Sequence, residues 1–341
     1  MKFLVTGANG YLGTQLVHAL IKKGHIVNAF ILSGTDTSHL QHHNIHIYEG
    51  DILRYADVAR ALQGCEAVFH LASVVSLWEK DPGIFYRINV TGTQTLLRAC
   101  TYQEVKRVLV VSSAGIFGPS LHGQPVHENT EHIPHPSEPY ELSKYRQMEV
   151  AKNFLDEGLE IILAYPTRIY GPGIQSHSNS ISTLFKKAAT GNWRVIPGYG
   201  NNYGNYVFIS DVVKGLQMIM ERGKNGEDYL LGGQNATYNE LFELLGFLIG
   251  QRLSMLRIPP LLIRLAGRIE ELRTRWTHKR PLITLHSAQK ATSDWLVSIQ
   301  KMRKEFGFHP IPLEEGLYRT LNGICETPPM WLEYPPKQAT A

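Results

Sequence analysis

The stretch Lys2-Phe3-Leu4-Val5-Thr6-Gly7-Ala8-Asn9-Gly10-Tyr11-Leu12-Gly13 decides the fold of this chain. Its apolar run, Phe3 to Val5, predicts a buried parallel strand, and the amphipathic segment Thr14 to Lys23 predicts a helix after the glycines. Glycines at such a turn let the backbone approach a pyrophosphate, whose charge the helix N-terminus stabilises. The spacing is G-x-x-G-x-x-G rather than G-x-G-x-x-G, so a glycine turn without a ligand is the alternative. The pattern predicts a phosphate-binding βα unit.

The residues after the second predicted strand, His25 to Leu32, bear on the choice of dinucleotide. An acid there would bind the 2′-hydroxyl of NAD, and an arginine would bind the 2′-phosphate of NADP. Neither residue type is present, and the missing acid favours NADP, with Ser33, Thr35 and Ser38 as phosphate donors. Asp51 follows the third strand, where it could accept a hydrogen bond from the adenine amino group or cap the next helix.

Tyr140 and Lys144 form a candidate acid/base pair. Residues four apart lie on one face of a helix. An ammonium beside a phenol stabilises the phenolate, so it lowers a pKa that is ordinarily about 10. Such a tyrosine can act as a general acid or base near neutral pH. Many surface helices contain this spacing by chance, and the pair gains weight here from the glycine turn upstream.

A set of further motifs occurs in a fixed order along residues 1–235, with a looser match to about 320. The motifs are Thr6-Gly7-x-x-Gly10-x-x-Gly13, Asp51-Ile52, His70-Leu71-Ala72, Asn89-Val90-Thr91-Gly92-Thr93, Ser112-Ser113, Tyr140-x-x-x-Lys144 and Tyr165-Pro166. In this order and spacing the chain resembles the extended short-chain dehydrogenase/reductase family, which contains NAD-dependent epimerases and dehydratases. Ser76-Leu77-Trp78 makes it most similar to the dihydroflavonol-4-reductase-like branch.

The resemblance implies an α/β fold, a Rossmann doubly wound parallel sheet with a smaller, partly discontinuous C-terminal substrate lobe. We expect residues 1–172 to form the NAD(P)-binding domain, and 205–235 to return to it. Residues 173–204 and 236–330 would form the substrate lobe, before a tail at 331–341.

The resemblance also implies an NAD(P)-dependent oxidoreductase that interconverts a ketone and an alcohol in a small organic substrate. Ser113 would polarise the carbonyl, and Tyr140 would give its proton to the carbonyl oxygen as hydride arrives from the nicotinamide. Lys144 would lower the tyrosine pKa and bond the nicotinamide ribose. The implied cofactor contacts are Gly7, Asn9, Gly10, Tyr11, Leu12, Gly13, Ser33, Asp51, Ile52, Leu71, Ala72, Ser73, Tyr140, Lys144, Tyr165, Pro166 and Thr167.

Two other functions stay open. One is a nucleotide-sugar epimerase or dehydratase that keeps NAD tightly bound, and the other is a non-catalytic NAD(P) sensor. Within the family pattern, Phe117-Gly118 replaces the usual Tyr-Gly. We expect Asn89 to be a structural hydrogen-bonding residue and His70 to be a core residue bonded to the backbone.

The substrate is expected to be an uncharged carbonyl compound or alcohol. Gly204 stands where nucleotide-sugar enzymes of the family carry an arginine that clamps the diphosphate. Val74 and Trp78 are candidate walls of the substrate pocket. Arg168 is a candidate substrate residue as a replacement anion clamp, and a structural ion pair is the alternative.

The C-terminal part has a different pattern. The small polar residues of Ser176 to Ser182 predict a loop near the substrate. Helices are predicted from Asp211 to Glu221, capped by Ser210 or Asp211, and from Asn239 to Ile249, capped by Asn239.

A basic segment spans residues 252–280. It could be an amphipathic element that rests on an anionic membrane or lipid. A pair of helices with solvated basic faces is the alternative. Its basic residues, against Glu270 and Glu271 alone, are Arg252, Arg257, Arg264, Arg268, Arg273, Arg275, Lys279 and Arg280.

Composition excludes several classes of function. The net charge of +4 over 341 residues, without a dense basic run that has interleaved aromatic residues, argues against nucleic acid as a partner. The three cysteines lack metal-ligand spacing or a disulfide pattern, so no metal site is expected. No uncharged apolar run approaches ~18 residues, so no membrane span is expected. We expect a cytoplasmic protein and, by resemblance, a homodimer formed by the helix of Tyr140 and that of Phe85 to Cys100.

Overall fold

The computed structural model of the chain describes residues 1–131, 138–174, 179–277 and 279–324. The predicted tail 331–341, Cys325 and residues 176–178 of the predicted polar loop lie outside them. Among the described residues, no helix combines the length and apolarity needed to cross a bilayer.

A seven-stranded sheet forms the centre of the molecule, and every neighbouring pair of its strands is parallel. Strands such as Arg107–Val111 are almost wholly apolar and buried because helices cover both faces of the sheet. This confirms the predicted doubly wound sheet. In chain order its strands are β1 (Lys2–Thr6), β2 (Ile26–Ile31), β3 (Ile45–Glu49), β4 (Ala67–His70), β5 (Arg107–Val111), β6 (Glu160–Pro166) and, farther along, Asp228–Leu231.

Two smaller sheets lie C-terminal to this framework. Their strands are β7 (Arg168–Tyr170), β8 (Val195–Pro197), β9 (Tyr203–Phe208), β11 (Gln234–Thr237) and β12 (Leu256–Ile258), so that Asp228–Leu231 is β10. The order in the large sheet is β10-β6-β5-β4-β1-β2-β3, and the smaller sheets run β11-β9-β7 and β12-β8. Because β10 pairs with β6, the chain returns to the large sheet after leaving it.

Helices cover the sheets. They are α1 (Tyr11–Lys22), α2 (Tyr55–Leu62), α3 (Gly83–Phe85), α4 (Gly92–Tyr102), α5 (Pro139–Asn153), α6 (Ser180–Ala189), α7 (Ile209–Arg222), α8 (Tyr238–Leu248), α9 (Pro260–Thr277), α10 (Leu285–Ala291), α11 (Gln300–Phe306) and α12 (Leu313–Ile324). A π-helical stretch, Tyr86–Thr91, joins α3 to α4, and single 3₁₀ turns lie at Ala114–Phe117 and Phe154–Glu157.

Two predicted helix caps are wrong. Asp51 does not cap α2, because that helix begins only at Tyr55; the Asp51 carboxylate instead accepts a hydrogen bond from the Leu53 amide at 2.9 Å in the preceding turn. Asp211 lies inside α7, and its carboxylate accepts a hydrogen bond from the Ile311 amide at 2.9 Å.

A third predicted cap, Asn239, is also wrong, because a stronger capping arrangement lies two residues upstream. The Thr237 hydroxyl accepts a hydrogen bond from the Glu240 amide at 3.1 Å, and the Glu240 carboxylate accepts one from the Thr237 amide at 2.7 Å. This reciprocal capping box fixes the start of α8 at Tyr238. Asn239 instead donates from its side chain to the Tyr199 carbonyl at 3.0 Å.

Helix α10, in the C-terminal part of the chain, is joined to α5 by charged side chains that are largely buried. Lys290 Nζ lies 2.7 Å from Glu141 Oε1, and His286 Nε2 lies 3.6 Å from the same oxygen. The Glu141 side chain is only 6 % exposed. Burial alone would raise the pKa of Glu141, but Lys290 and His286 outweigh it and hold this pKa at about 2. The two helices are therefore joined by a carboxylate that requires its cation.

We predict that Lys290→Met lowers the free energy of unfolding by about 3 kcal/mol, because it leaves Glu141 buried without its main counter-charge. Urea unfolding at pH 7 measures the change. The folded-state pKa of Glu141, about 2, lies below its ordinary value of 4.5. Its contribution to stability is therefore complete above that value and lost as the pH falls towards 2. The double variant Glu141→Gln/Lys290→Met should recover part of the free energy of unfolding that Lys290→Met loses. If the double variant were destabilised as much as the single variant, the ion pair between Glu141 and Lys290 would be contradicted.

Candidate active site

The turn after β1 brings the backbone very close to itself and to the loop after β4. Gly7 has φ +66°, and a Cβ there would lie 2.9 Å from the Ala72 nitrogen. A Cβ on Gly13 would collide with the Gly7 carbonyl oxygen. The N-cap of α1 is Gly10, and no described side chain caps the helix. Amide groups of the first helical turn are thus available to an anion, and this glycine cradle fits the pyrophosphate of a dinucleotide.

A cavity of about 600 Å³ runs from this turn to Tyr140. The large-sheet strands contribute their carboxyl ends to it, the edge where ligands bind in doubly wound folds. The predicted site residues that line it are Gly7, Asn9, Gly10, Tyr11, Leu12, Gly13, Leu71, Ala72, Ser73, Ser113, Tyr140, Lys144, Pro166, Thr167 and Arg168.

Other predicted cofactor residues lie outside this cavity. Ser33 is exposed beyond the end of β2. Asp51 and Ile52 follow β3, where Ile52 packs under Gly92. The side chain of Tyr165 points elsewhere: it is fully buried, and its hydroxyl donates to Asp228 Oδ1 at 3.1 Å. The Tyr165 hydroxyl is therefore bound by Asp228 on the neighbouring strand, and a cofactor contact at Tyr165 stays a prediction.

Ser113, Tyr140 and Lys144 form one wall of the cavity. Ser113 follows β5, and its hydroxyl is hydrogen-bonded to the Tyr140 hydroxyl. Tyr140 lies in the first turn of α5. Lys144, one turn later, is buried and donates from Nζ to the Val111 carbonyl at 3.1 Å and to Gln147 Oε1 at 3.0 Å.

The charge state of this wall differs from the sequence prediction. Burial raises the pKa of Tyr140, the nearby Glu141 carboxylate adds to the rise, and only the Ser113 hydrogen bond opposes it. Lys144 Nζ donates to Val111 and Gln147, so burial, and not the lysine, sets the direction of the Tyr140 pKa in the resting site. Burial lowers the pKa of Lys144 to about 7. At neutral pH Tyr140 is thus held as the neutral phenol, while Lys144 is divided between its protonated and neutral forms.

A buried chain of hydrogen bonds begins at Thr6 and passes through His70. Thr6 Oγ1 accepts from the Leu71 and Ala72 amides, each at 3.1 Å, so its own hydrogen goes to His70 Nδ1 at 2.8 Å. His70 must then carry its hydrogen on Nε2, which lies 2.8 Å from Thr93 Oγ1. Burial lowers the pKa of His70 to about 3, so the ring is neutral. His70 is a core residue as predicted, but its partners are two threonine hydroxyls rather than the backbone.

The same chain continues to the candidate acid/base pair. Gln147 Nε2 donates to Thr93 Oγ1 at 2.9 Å, and Gln147 Oε1 accepts from Lys144 at 3.0 Å. Side chains from β1, β4, α4 and α5 are joined in this way. The glycine turn and Lys144 are consequently held by one continuous polar connection through the core.

Asn89 has the structural contacts expected of it. Its Oδ1 accepts from the Ser73 hydroxyl at 2.9 Å and from the Val74 amide at 2.8 Å, and its Nδ2 donates to the Ser143 hydroxyl at 2.9 Å. It fixes the loop after β4 against α5. Val74, a predicted substrate residue, does not line the cavity, whereas the adjacent Val75 does.

Arg168 lies in the cavity wall, directly over Gly204. A Cβ at Gly204 would collide with the Arg168 guanidinium. Arg168 Nη1 lies 3.3 Å from the Tyr206 hydroxyl, and its guanidinium is 5.6 Å from the centre of that ring. No acid forms an ion pair with Arg168 within the described ranges, so its neighbours are phenols rather than the expected carboxylate. Arg168, from β7, thus occupies the space that an arginine at position 204 would fill.

Trp78, the other predicted substrate residue, lines a second cavity of about 510 Å³. Leu77 and Tyr140 border both cavities, so the two meet at the candidate acid/base residue. Glu271 and Thr274 of α9 form part of the second cavity.

Several residues that line the cavity were not singled out from sequence, and Glu49, beside the loop after β2, was also missed. Lys290 and Trp295 reach the cavity from the C-terminal part. Glu49, the last residue of β3, accepts a hydrogen bond from the Gly34 amide at 3.3 Å, which puts a carboxylate beside the loop after β2. The available signal for Glu49 was its position at the end of β3, next to β2. No signal in the sequence pointed to Lys290 or Trp295.

Comparison with known proteins agrees with this geometry. The sequence model of the NAD dependent epimerase/dehydratase family matches residues 3–232. A Synechocystis protein named as a dihydroflavonol 4-reductase is 26 % identical over 323 residues, 92 % of each chain. Sterol demethylase protein B of Methylococcus capsulatus is 29 % identical over 313 residues, 91 % of this chain and 94 % of that protein.

A solved structure resembles the whole chain. UDP-glucose 4-epimerase of Thermotoga maritima with UDP-glucose has a TM-score of 0.77 at 25 % identity, covering 95 % of this chain and 98 % of that one. The resemblance to extended dehydrogenases and epimerases is thereby confirmed. The chain belongs to the NAD dependent epimerase/dehydratase family and is an NAD(P)-dependent enzyme of its dehydrogenase, reductase and epimerase group.

Proposed function

We propose that this protein interconverts a ketone and an alcohol on a small organic substrate with NAD(P). The observation that carries the proposal is that Ser113, Tyr140 and Lys144 form one wall of the cavity that begins at the glycine cradle. A bound nicotinamide supplies or accepts the hydride, and the protein supplies orientation and proton transfer.

Each residue of the wall has one role. The Ser113 hydroxyl donates a hydrogen bond to the substrate oxygen. Tyr140 gives its phenolic proton to that oxygen during reduction and takes it back, as the phenolate, during oxidation. Protonated Lys144 stabilises this phenolate, and the phenolate in turn favours the protonated lysine. A high tyrosine pKa in the resting site keeps the proton available for reduction.

The alternative is an epimerase or dehydratase that keeps NAD bound, the activity named for the Thermotoga relative. Position 204 is a glycine rather than the arginine expected of a nucleotide-sugar enzyme, and this difference favours the reductase. Arg168 occupies that space, and we propose it as the polar anchor of the substrate, with Trp78 as an apolar wall of the second cavity.

The choice between NAD and NADP turns on Glu49. The absence of an acid at the end of β2 favoured NADP, with Ser33 as a phosphate donor. The Glu49 carboxylate beside Gly34 opposes this preference, because it would repel a 2′-phosphate and can accept a hydrogen bond from a 2′-hydroxyl. We therefore propose NAD as the preferred cofactor.

The division into a cofactor domain (1–172 with 205–235) and a substrate lobe (173–204 and 236–330) is likewise a proposal. The buried cluster that contains Phe185, Ile196 and Leu241, separate from the core of the large sheet, supports a substrate lobe. Tyr170 and Phe208 belong to the same cluster, although these bounds assign them to the cofactor domain. Homodimerisation and a cytoplasmic location stay predictions. Leu96, Leu97, Cys100, Met148 and Ala151, apolar residues of α4 and α5, are buried in the core, whereas Tyr145 of α5 is partly buried, so a dimer seam could not consist of those five side chains.

We predict that Tyr140→Phe lowers the rate of ketone reduction at least about 100-fold, because the substrate oxygen loses its proton donor. Absorbance of NADH at 340 nm follows turnover in a screen of alicyclic and aromatic ketones. Fluorescence titration with NADH is the control and should give an unchanged affinity. Substrate conversion by the wild type without net change in NADH would favour the epimerase, and full activity of the variant would overturn the role of Tyr140.

We predict that Lys144→Met moves the pH profile of alcohol oxidation upward by at least about one unit, since the phenolate loses its stabilising cation. The profile of kcat/KM against pH measures the shift. Gln147→Leu is a useful companion: it keeps the lysine but removes its hydrogen-bond partner. An unshifted profile for Lys144→Met would contradict the electrostatic role.

We predict tighter binding of NADH than of NADPH, and an affinity ratio that Glu49→Gln reduces by about threefold, as expected of one exposed carboxylate. Titration of both nucleotides by nicotinamide fluorescence gives the ratio. Asp36→Asn, on the same loop, is a matched control, because the Asp36 carboxylate is already bound by Ser38. If the wild type bound NADPH more tightly than NADH, the preference for NADP that was expected from the missing acid after β2 would be restored.

A further inference from the structure

The outer face of α9 is an apolar stripe on the surface. Leu262, Leu265, Ile269, Leu272 and Trp276 repeat at intervals of three and four residues, which places them along one side of the helix. Their exposed fractions run from 50 % for Leu265 to 86 % for Trp276. Contiguous apolar surface of this kind marks a site of interaction.

The stripe is not a core face left open by a loosely placed helix. The opposite side of α9 is docked: Ile263 is buried, and a Cβ at Gly267 would lie 2.8 Å from the Leu285 Cα. Glu270 Oε2 accepts from the Leu282 amide, and Glu271 Oε1 accepts from the Leu285 amide, both at 2.8 Å. The helix is fixed to the body of the protein with its apolar stripe outward.

Charge along the stripe is positive. Both acids of α9 face inward in the contacts just described. Arg268 is exposed beside the stripe, and Arg264, also exposed, donates to the Thr292 hydroxyl at 3.3 Å. Exposed Arg252 and Arg257 precede the helix. A second copy of the chain is a poor occupant, because symmetrical pairing of two such helices would bring arginines together. An anionic bilayer satisfies both parts of the surface: leucine, isoleucine and tryptophan enter the headgroup boundary while the arginines bind lipid phosphates.

We propose that the stripe of α9 docks this protein on the surface of an anionic membrane. The same helix borders the second cavity through Glu271 and Thr274, and this cavity adjoins Tyr140. Docking would therefore hold the active site close to the membrane, on the inner side of the docked helix; this consequence rests on the proposed function, whereas docking does not.

Vesicle flotation of the full chain tests the docking without any need for catalysis. We expect the wild type to float with vesicles of phosphatidylcholine and phosphatidylglycerol, to float far less with phosphatidylcholine alone, and to be released by salt. Ile269→Ser/Leu272→Ser should weaken partitioning more than about 100-fold. Arg264→Gln/Arg268→Gln should weaken it about 30-fold on anionic vesicles.

The matched control is Leu121→Ser/Phe247→Ser, which removes two side chains of similar exposure, 69 % and 68 %, away from α9. It should float like the wild type, and unfolding curves confirm that all variants are folded. Absence of flotation with anionic vesicles, or equal flotation of the stripe variants, overturns the proposal. A lipid-free dimer that dissociates in Ile269→Ser/Leu272→Ser, measured by light scattering, would assign the stripe to a second copy instead.

Discussion

The structure depends on satisfying a set of polar groups inside an apolar core. Thr6, His70, Thr93 and Gln147 are completely buried, and each finds its hydrogen-bond partner in the next. In a medium of low dielectric an unpaired member costs much more than a paired one contributes. The strands and helices that carry these residues can therefore pack in only one register. Lys144 lies at the end of this chain, so its position is fixed by the same requirement that fixes the glycine turn.

Local patterns made the fold predictable. The apolar runs, the glycine turn and the alternation of strands with helices are set by residues close in sequence, and so are the motifs at Tyr140 and Lys144. The chemistry of the site was less accessible, because burial rather than spacing decides it. The i,i+4 pair suggested a lowered tyrosine pKa, but desolvation reverses the direction in the folded protein. Even a local signal was overlooked at α8, where Thr237 and Glu240 have capping-box spacing.

Contacts between distant segments were beyond prediction for a different reason. The Arg168 guanidinium occupies the space that a side chain at position 204 would fill, and neither residue alone reveals this. The position of Glu49 beside Gly34 likewise follows from the pairing of β2 with β3. Each of these contacts changes an inference about ligands: the first concerns the polar anchor of the substrate, and the second concerns the choice of dinucleotide.

The bond between Glu141 and Lys290 joins residues 149 positions apart, so each of two distant segments of the chain depends on a residue in the other. A gene recombined between these positions would inherit the acid beside Tyr140 from one parent and the residue opposite it from another. Where that residue is not a cation, the hybrid keeps a buried, unbalanced carboxylate next to its reacting phenol. New substrate lobes can thus be acquired by such a lineage only together with a basic residue at this point, or after the acid has been lost.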